Sequence, residues 1–379
     1  MENKKINVAV IACGARSRYV VANLLRDSKR NVKVLTCYDP DRVVAKRAVS
    51  EWNSPETKIC RSSAEAINFP GIDWVMVFSP NAYHKQHILA GFAAGKNVFS
   101  EKPLATKIAD CQKIFEAHQK SGVLFATGFV LRYAPIYRKV KELLDSGKFG
   151  YLLAVDANEN IAPEHGAYIM QNWRRLTKYA GPHILEKCTH DLDLLNWFVG
   201  ALPARVASFG SRRFFVPENE KLIAKYGKET FDRWEDPHKL PSPFTSDKDL
   251  KDNQVAIIEY RNGVHVQFEC TMSNIIPERR MMFSCSEGNI VAELYSGRLV
   301  CRKLGEQATE VYDFTGDGHG GGDNFIMKEL YENVMCKGQK PACSGNEGLE
   351  SAVLALAIDK AANIGRVVEL EPVWKSMNR

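Results

Sequence analysis

The first 130 residues are dominated by short, largely apolar runs that alternate with amphipathic stretches. Residues 7–12, 33–38, 74–79, 97–100 and 123–127 read as strands, with helical spacing over residues 17–26, 84–94 and 109–120. Gly95 and Gly122 stand where such helices end. Runs this continuous suit strands covered on both faces, so the β-α alternation predicts a parallel, doubly wound sheet.

Beyond about residue 150 the texture changes to longer strands with hairpin punctuation. Residues 254–260 and 264–272 flank Arg261-Asn262-Gly263, a short-turn pattern. Residues 279–285, 289–294, 298–303 and 310–314 continue as a meander, with Gly288 and Gly297 in the turns. The expectation is an α/β chain of two domains: a Rossmann-type domain over 1–130, and an α/β domain over 131–379 with a mainly antiparallel open sheet. A length of 379 residues fits two cores better than one. The charge- and proline-rich stretch 217–253 is expected to be partly ordered, as a lid or a subunit arm.

Composition narrows the class of function. The chain is 45% apolar and 25% charged, ordinary for a globular protein. Its 51 basic and 45 acidic residues are interspersed, giving +6 without a block that would mark a nucleic-acid or membrane patch. The apolar run at 6–12 is too short to span a membrane and reads as a strand, not a signal peptide. Ten cysteines lack paired spacing and no CxxC occurs, which favours reduced thiols in the cytoplasm over a zinc ribbon.

The loop after the first strand is Ala12-Cys13-Gly14-Ala15-Arg16-Ser17. A dinucleotide needs small residues there, because its pyrophosphate approaches backbone amides at a helix N-terminus. Against G-x-G-x-x-G only Gly14 remains, with Ala12 and Ser17 at the outer positions. Asp39 closes the second strand at roughly the spacing of a ribose-binding carboxylate, which favours NAD; Arg42 nearby keeps NADP open. Asp39 also reads as a turn former before Pro40. Two further clusters follow strands, where ligands bind in open sheets: Ser79-Pro80-Asn81 with His84, and Glu101-Lys102-Pro103. Asn81 and His84 equally suit a loop and a helix cap. A lysine after a buried strand, next to an oxidised nicotinamide, would be a tunable acid–base or alkoxide partner.

Taking residues 182–199 as one helix places Glu186, His190, Asp193 and Trp197 on one face. Leu185, Cys188, Leu192, Leu195 and Val199 form the opposite, apolar stripe. On this reading His190 is off the packing face and shares a polar stripe with two carboxylates. That arrangement suits a general base; a solvated face and a metal site are the alternatives, and no additional motif supports a metal.

Together these residues resemble the Gfo/Idh/MocA oxidoreductases, the family of glucose–fructose oxidoreductase and inositol dehydrogenase. The resemblance extends through Gly128, Arg132-Tyr133, Pro135, Ser146-Gly147-Lys148-Phe149-Gly150, Trp173-Arg174 and His190-Asp191-Leu192-Asp193. It implies an N-terminal Rossmann domain and a C-terminal α/β domain whose open sheet often joins subunits in a homodimer or homotetramer. It implies that Lys102 and His190 flank the substrate near the nicotinamide, with Lys102 on the reacting hydroxyl and His190 as acid–base. The family's usual aspartate before that histidine is Glu186 here. Cofactor contacts are then expected from Cys13, Gly14, Ala15, Arg16, Ser17, Asp39, Arg42, Ser79, Pro80, Asn81, His84, Glu101, Lys102 and Arg132. Substrate contacts are expected from Lys102, Trp173, Arg174, His190, Asp193 and His319. The run Gly318-His319-Gly320-Gly321-Gly322-Asp323 also reads as a hinge.

The expected activity is hydride transfer between NAD(P) and a secondary hydroxyl of a sugar, cyclitol or glycoside. A bond-cleaving enzyme that oxidises its sugar only transiently is the second expectation. A non-catalytic NAD or sugar sensor is the third.

Overall fold

The computed structural model describes residues 5–234, 239–316 and 318–379 and divides into two compact units. The first comprises Met1–Tyr133 and Gly322–Leu349, the second Ala134–Gly321 and Glu350–Arg379.

In the first unit, β1 (Ile6–Ile11), β2 (Val32–Tyr38), β3 (Lys58–Ile59), β4 (Trp74–Val77), β5 (Asn97–Ser100) and β6 (Phe125–Thr127) form one sheet in the order β3-β2-β1-β4-β5-β6. Every pairing is parallel, as the continuous apolar runs require. The order reverses between β1 and β4, which is where a doubly wound sheet opens a crevice at its strand C-termini. The loops after β1, β4 and β5 carry the three predicted clusters. The short β3 and the helices Arg42–Glu51 and Ser63–Ile67 had no clear sequence pattern.

The expected division at residue 130 is changed by the chain's return over 322–349. Ile326, Met327, Leu330, Tyr331, Val334 and Cys343 are buried in the same core as Val8, Val10 and Phe99. Thr127 donates its backbone N–H to the Cys343 carbonyl at 3.0 Å.

In the second unit, β7 (Leu152–Asn160), β8 (Pro203–Ser211), β9 (Asn253–Tyr260), β10 (His265–Thr271), β11 (Arg280–Cys285), β12 (Gly288–Glu293), β13 (Arg298–Lys303), β14 (Glu310–Asp313) and β15 (Val368–Glu369) form a second sheet. Its order is β14-β13-β12-β11-β7-β10-β9-β8-β15. Pairing is antiparallel except between β7 and β10 at the centre. Along β9 buried residues alternate with Val255 and Ile257, so one face is packed and the other open. Gly263 turns the predicted β9–β10 hairpin at φ 84°, a conformation that favours glycine.

The stretch 217–253 is a packed insertion: Phe231, Phe244 and Leu250 share a core with Phe215, Ile161 and Met170. The stretch is thus ordered over its described part; residues 235–238 lie outside the described residues.

Candidate functional site

The glycine loop is built by hydrogen bonds that the chain makes to itself. Cys13 donates its N–H to Asp39 Oδ2 at 2.8 Å, and Ser17 Oγ donates to the Gly14 carbonyl at 2.8 Å. Asp39 Oδ1 accepts from Asp41 N–H at 2.9 Å, so its carboxylate fixes both the loop and its own turn. Ala12 has φ 69°, a left-handed conformation at the position where the fingerprint has its first glycine.

Gly14 differs from turn glycines such as Gly95, Gly122 and Gly263, which have positive φ. Its backbone, φ −65° and ψ −176°, is open to any residue. A Cβ added there would meet nothing within 4 Å among the described residues outside its immediate neighbours. The fold itself therefore does not demand glycine, and the open space would admit a ligand at the N-terminus of the Ala15–Asp27 helix. That helix has neither a side-chain cap nor an acidic residue in its first turn, leaving its amides suited to an anion. The donor set and the cradle fit a dinucleotide pyrophosphate.

Several predicted cofactor side chains are instead engaged inside the first unit. Arg16 donates from Nε to Glu101 Oε1 and from Nη1 to Asp323 Oδ1, both at 2.7 Å. Ser17 is buried beneath the turn it closes. His84 is also buried, with Nδ1 2.7 Å from the Pro103 carbonyl oxygen and Nε2 2.7 Å from that of Ser79. Burial lowers the pKa of His84, and the two carbonyls oppose that. These three side chains fix the loops after β1 and β4 and the turn at Glu101 within the first unit. Ser79 Oγ is 2.9 Å from Nδ1 of the buried His87, and Asn81 opens a short 3₁₀ turn. Arg42 is exposed at the start of its helix, and Arg132 is buried in the turn Val130–Tyr133.

Lys102 is half-buried after β5, and its peptide bond to Pro103 is cis. Glu101 beside it is clamped from two sides. Arg16 holds one carboxylate oxygen, and Gly128 lets the other approach so closely that an added Cβ would lie 2.8 Å from it. The turn that presents Lys102 is thereby tied to the glycine loop.

In the second unit the expected single helix over 182–199 is two helices, His183–Glu186 and Thr189–Val199, broken at Lys187 and Cys188. The supposed polar face is not solvated: Glu186, His190, Asp191 and Asp193 are all buried. Polar side chains survive there because they are paired. Glu186 accepts from Arg174 Nε at 2.9 Å, and the Arg174 guanidinium stacks 4.5 Å from the Trp173 ring. His319 lies with its ring centroid 5.7 Å from that of His190. Thus Trp173, Arg174 and Glu186 form one cluster, and His190 and His319 form a pair.

Sequence reasoning missed the support under this helix. Arg279, 1% exposed, donates to both oxygens of Asp191 at 2.8 and 2.7 Å. Its Nη1 lies 3.2 Å from Glu159, which also meets Lys187 Nζ at 3.2 Å. Against burial, which raises it, Arg279 and Lys187 hold the Glu159 carboxyl well below the usual range. Nothing local in the sequence links these positions.

Comparisons with known proteins agree with this architecture. Residues 6–129 match the model of an oxidoreductase family with an NAD-binding Rossmann fold, and residues 141–370 match that family's C-terminal α/β domain. A putative oxidoreductase YteT of Bacillus subtilis is 25% identical over 307 residues, 68% of this chain and 72% of the relative. An inositol 2-dehydrogenase of Gluconacetobacter diazotrophicus is 27% identical over 268 residues, 70% of this chain and 66% of the relative. The fold is shared with a levoglucosan dehydrogenase solved with NADH and levoglucosan, at a TM-score of 0.81 and 17% identity, covering 96% of this chain and 99% of that one. With both domain models matched across most of its length, the chain belongs to the Gfo/Idh/MocA family of NAD-binding oxidoreductases.

Proposed function

We propose that the protein is a dehydrogenase that oxidises a secondary hydroxyl of a sugar, cyclitol or related polyol. The observation that carries this reading is the Gly14 cradle joined, through Arg16 and Glu101, to the turn that presents Lys102. When bound, NAD supplies the acceptor for the hydride leaving the carbinol carbon. The Lys102 ammonium donates a hydrogen bond to the reacting oxygen and stabilises its negative charge as the hydroxyl proton departs. His190 accepts that proton on its imidazole. Arg174, held by Glu186 and set against the Trp173 ring, contacts the substrate together with Trp173 and Asp193.

The test is a dehydrogenase screen over hexoses, inositols, sugar acids and glycosides with NAD and NADP. Lys102→Ala and His190→Ala should each lower turnover by about 10²-fold or more while NADH binding persists. Normal turnover in both variants would sink the assignment.

One observation favours a second reading. His319 beside His190 supplies another acid–base group, which a transient-oxidation, bond-cleaving sequence uses and a simple dehydrogenation does not need. Product release without net NADH would select it.

Two further assignments accompany the proposal. The exposed side chains of Phe209, Val255 and Ile257 cluster on the open face of β8 and β9, and we assign that face to a second copy of this chain. The ten free cysteines suit the reducing cytoplasm. No helix among the described residues is long and apolar enough to cross a membrane.

A further inference from the structure

Apart from the residues assigned to dehydrogenation, the second unit brings one histidine and two thiols to a single buried point. His183 lies in the helix His183–Glu186, Cys188 precedes the helix Thr189–Val199, and Cys270 lies on β10. One ring nitrogen of His183 and the two Sγ atoms are all within 4.8 Å of one another, and all three residues are buried. Two buried cysteines alone would pack as small apolar groups. The His183 imidazole adds a nitrogen donor at the same point as the two sulfurs. Nitrogen and sulfur donors of this kind, converging from separate rigid elements, are the ligand set that borderline-soft divalent ions select.

We propose that His183, Cys188 and Cys270 form a three-ligand site for a zinc-class divalent ion. Metal–sulfur and metal–nitrogen bonds of about 2.3 and 2.0 Å place tetrahedral ligand atoms roughly 3.5–3.8 Å apart. From separations of at most 4.8 Å, a closing of each pair by no more than about 1.3 Å completes the set. As the ion enters, each thiol releases one proton to solvent, so a divalent ion and two thiolates make a neutral unit inside the fold. Three protein ligands leave one tetrahedral position open. His183 also lines a cavity of about 310 Å³ with Thr177, Asp249, Gln254 and Asp359. Cysteine spacing could not reveal the site, because Cys270 joins the others only through the sheet.

The site does not depend on the dehydrogenase reading, and its test needs no substrate. Untagged, reduced, full-length protein is loaded with zinc or cobalt(II), desalted and analysed by elemental mass spectrometry and absorption. About one ion per chain and a sulfur-to-cobalt charge-transfer band are expected. The double variant Cys188→Ser/Cys270→Ser should retain at least about tenfold less metal and lose the band, while Cys336→Ser, at an exposed cysteine, keeps both. If the double variant does not fold, the cobalt spectrum of the unaltered protein decides: the band supports the site and its absence overturns it. Wild-type stoichiometry in a folded double variant, or no retained metal in the unaltered protein, also overturns it.

Discussion

Arg279 grips Asp191 through two parallel hydrogen bonds, 2.8 and 2.7 Å long, directly after His190 in the chain. With Glu159 and Lys187 the pair forms a buried cluster of two acidic and two basic side chains inside the second unit. The cluster pins the chain on both sides of the break at Cys188, from Lys187 before it and Asp191 after it. The orientation of His190 therefore rests on residues far from it in sequence.

Removing Arg279 leaves two buried carboxylates facing one another with only Lys187 to offset them. Arg279→Met should destabilise the second unit by about 3–5 kcal/mol in urea denaturation. Adding Asp191→Asn should recover part of that loss, because the uncompensated charge goes with it. Equal stability of wild type and Arg279→Met would show the cluster to be dispensable.

Acidification should act through His87, buried against Ser79. Burial, with the His84 charge, lowers its pKa from 6.5 to about 4. The unfolded chain then takes up a proton below pH 6.5 that the folded chain refuses until about pH 4. Stability is lost as pH falls through that window, by up to about 3 kcal/mol. The stability difference between wild type and His87→Gln, followed by denaturation from pH 7 to 4, should shrink accordingly; a constant difference would refute the shift.

Two neighbouring loop positions should respond in opposite ways. Ala12→Gly relieves a left-handed residue and should raise stability by up to about 1 kcal/mol. Gly14→Val should leave the ligand-free melting temperature nearly unchanged and weaken NADH binding by about tenfold or more, as read by fluorescence titration. Unchanged NADH affinity would mean that Gly14 does not cradle the cofactor.

The open sheet face makes a prediction about assembly. Ile257 and Phe209 are 62% and 74% exposed on adjoining strands. On the proposed pairing of two copies through this face, Ile257→Lys with Phe209→Glu should lower the mass in light scattering to that of a monomer, without loss of NADH binding. An unchanged mass would refute the assignment of this face.

Local periodicity made much of the fold legible. Uniform runs such as Trp74–Val77 announced buried parallel strands, and Arg261-Asn262-Gly263 announced the β9–β10 hairpin. These signals are short-range, because strand and helix periods repeat within a few residues. The return of 322–349 to the first unit was invisible, since an amphipathic helix does not state which core it joins.

By itself the sequence determined the α/β class, the loop at Gly14, the turn at Lys102 and the polar character of the His190 segment. Only the tertiary structure decided which polar groups remain available. Arg16 was claimed by Glu101 and Asp323, His84 by two carbonyls, and the supposed open face around His190 was buried. Partner choice for a charged or hydrogen-bonding side chain is a long-range matter. Arg279 and Asp191 meet across 88 residues, and desolvation made the pairing obligatory once the fold had brought them together.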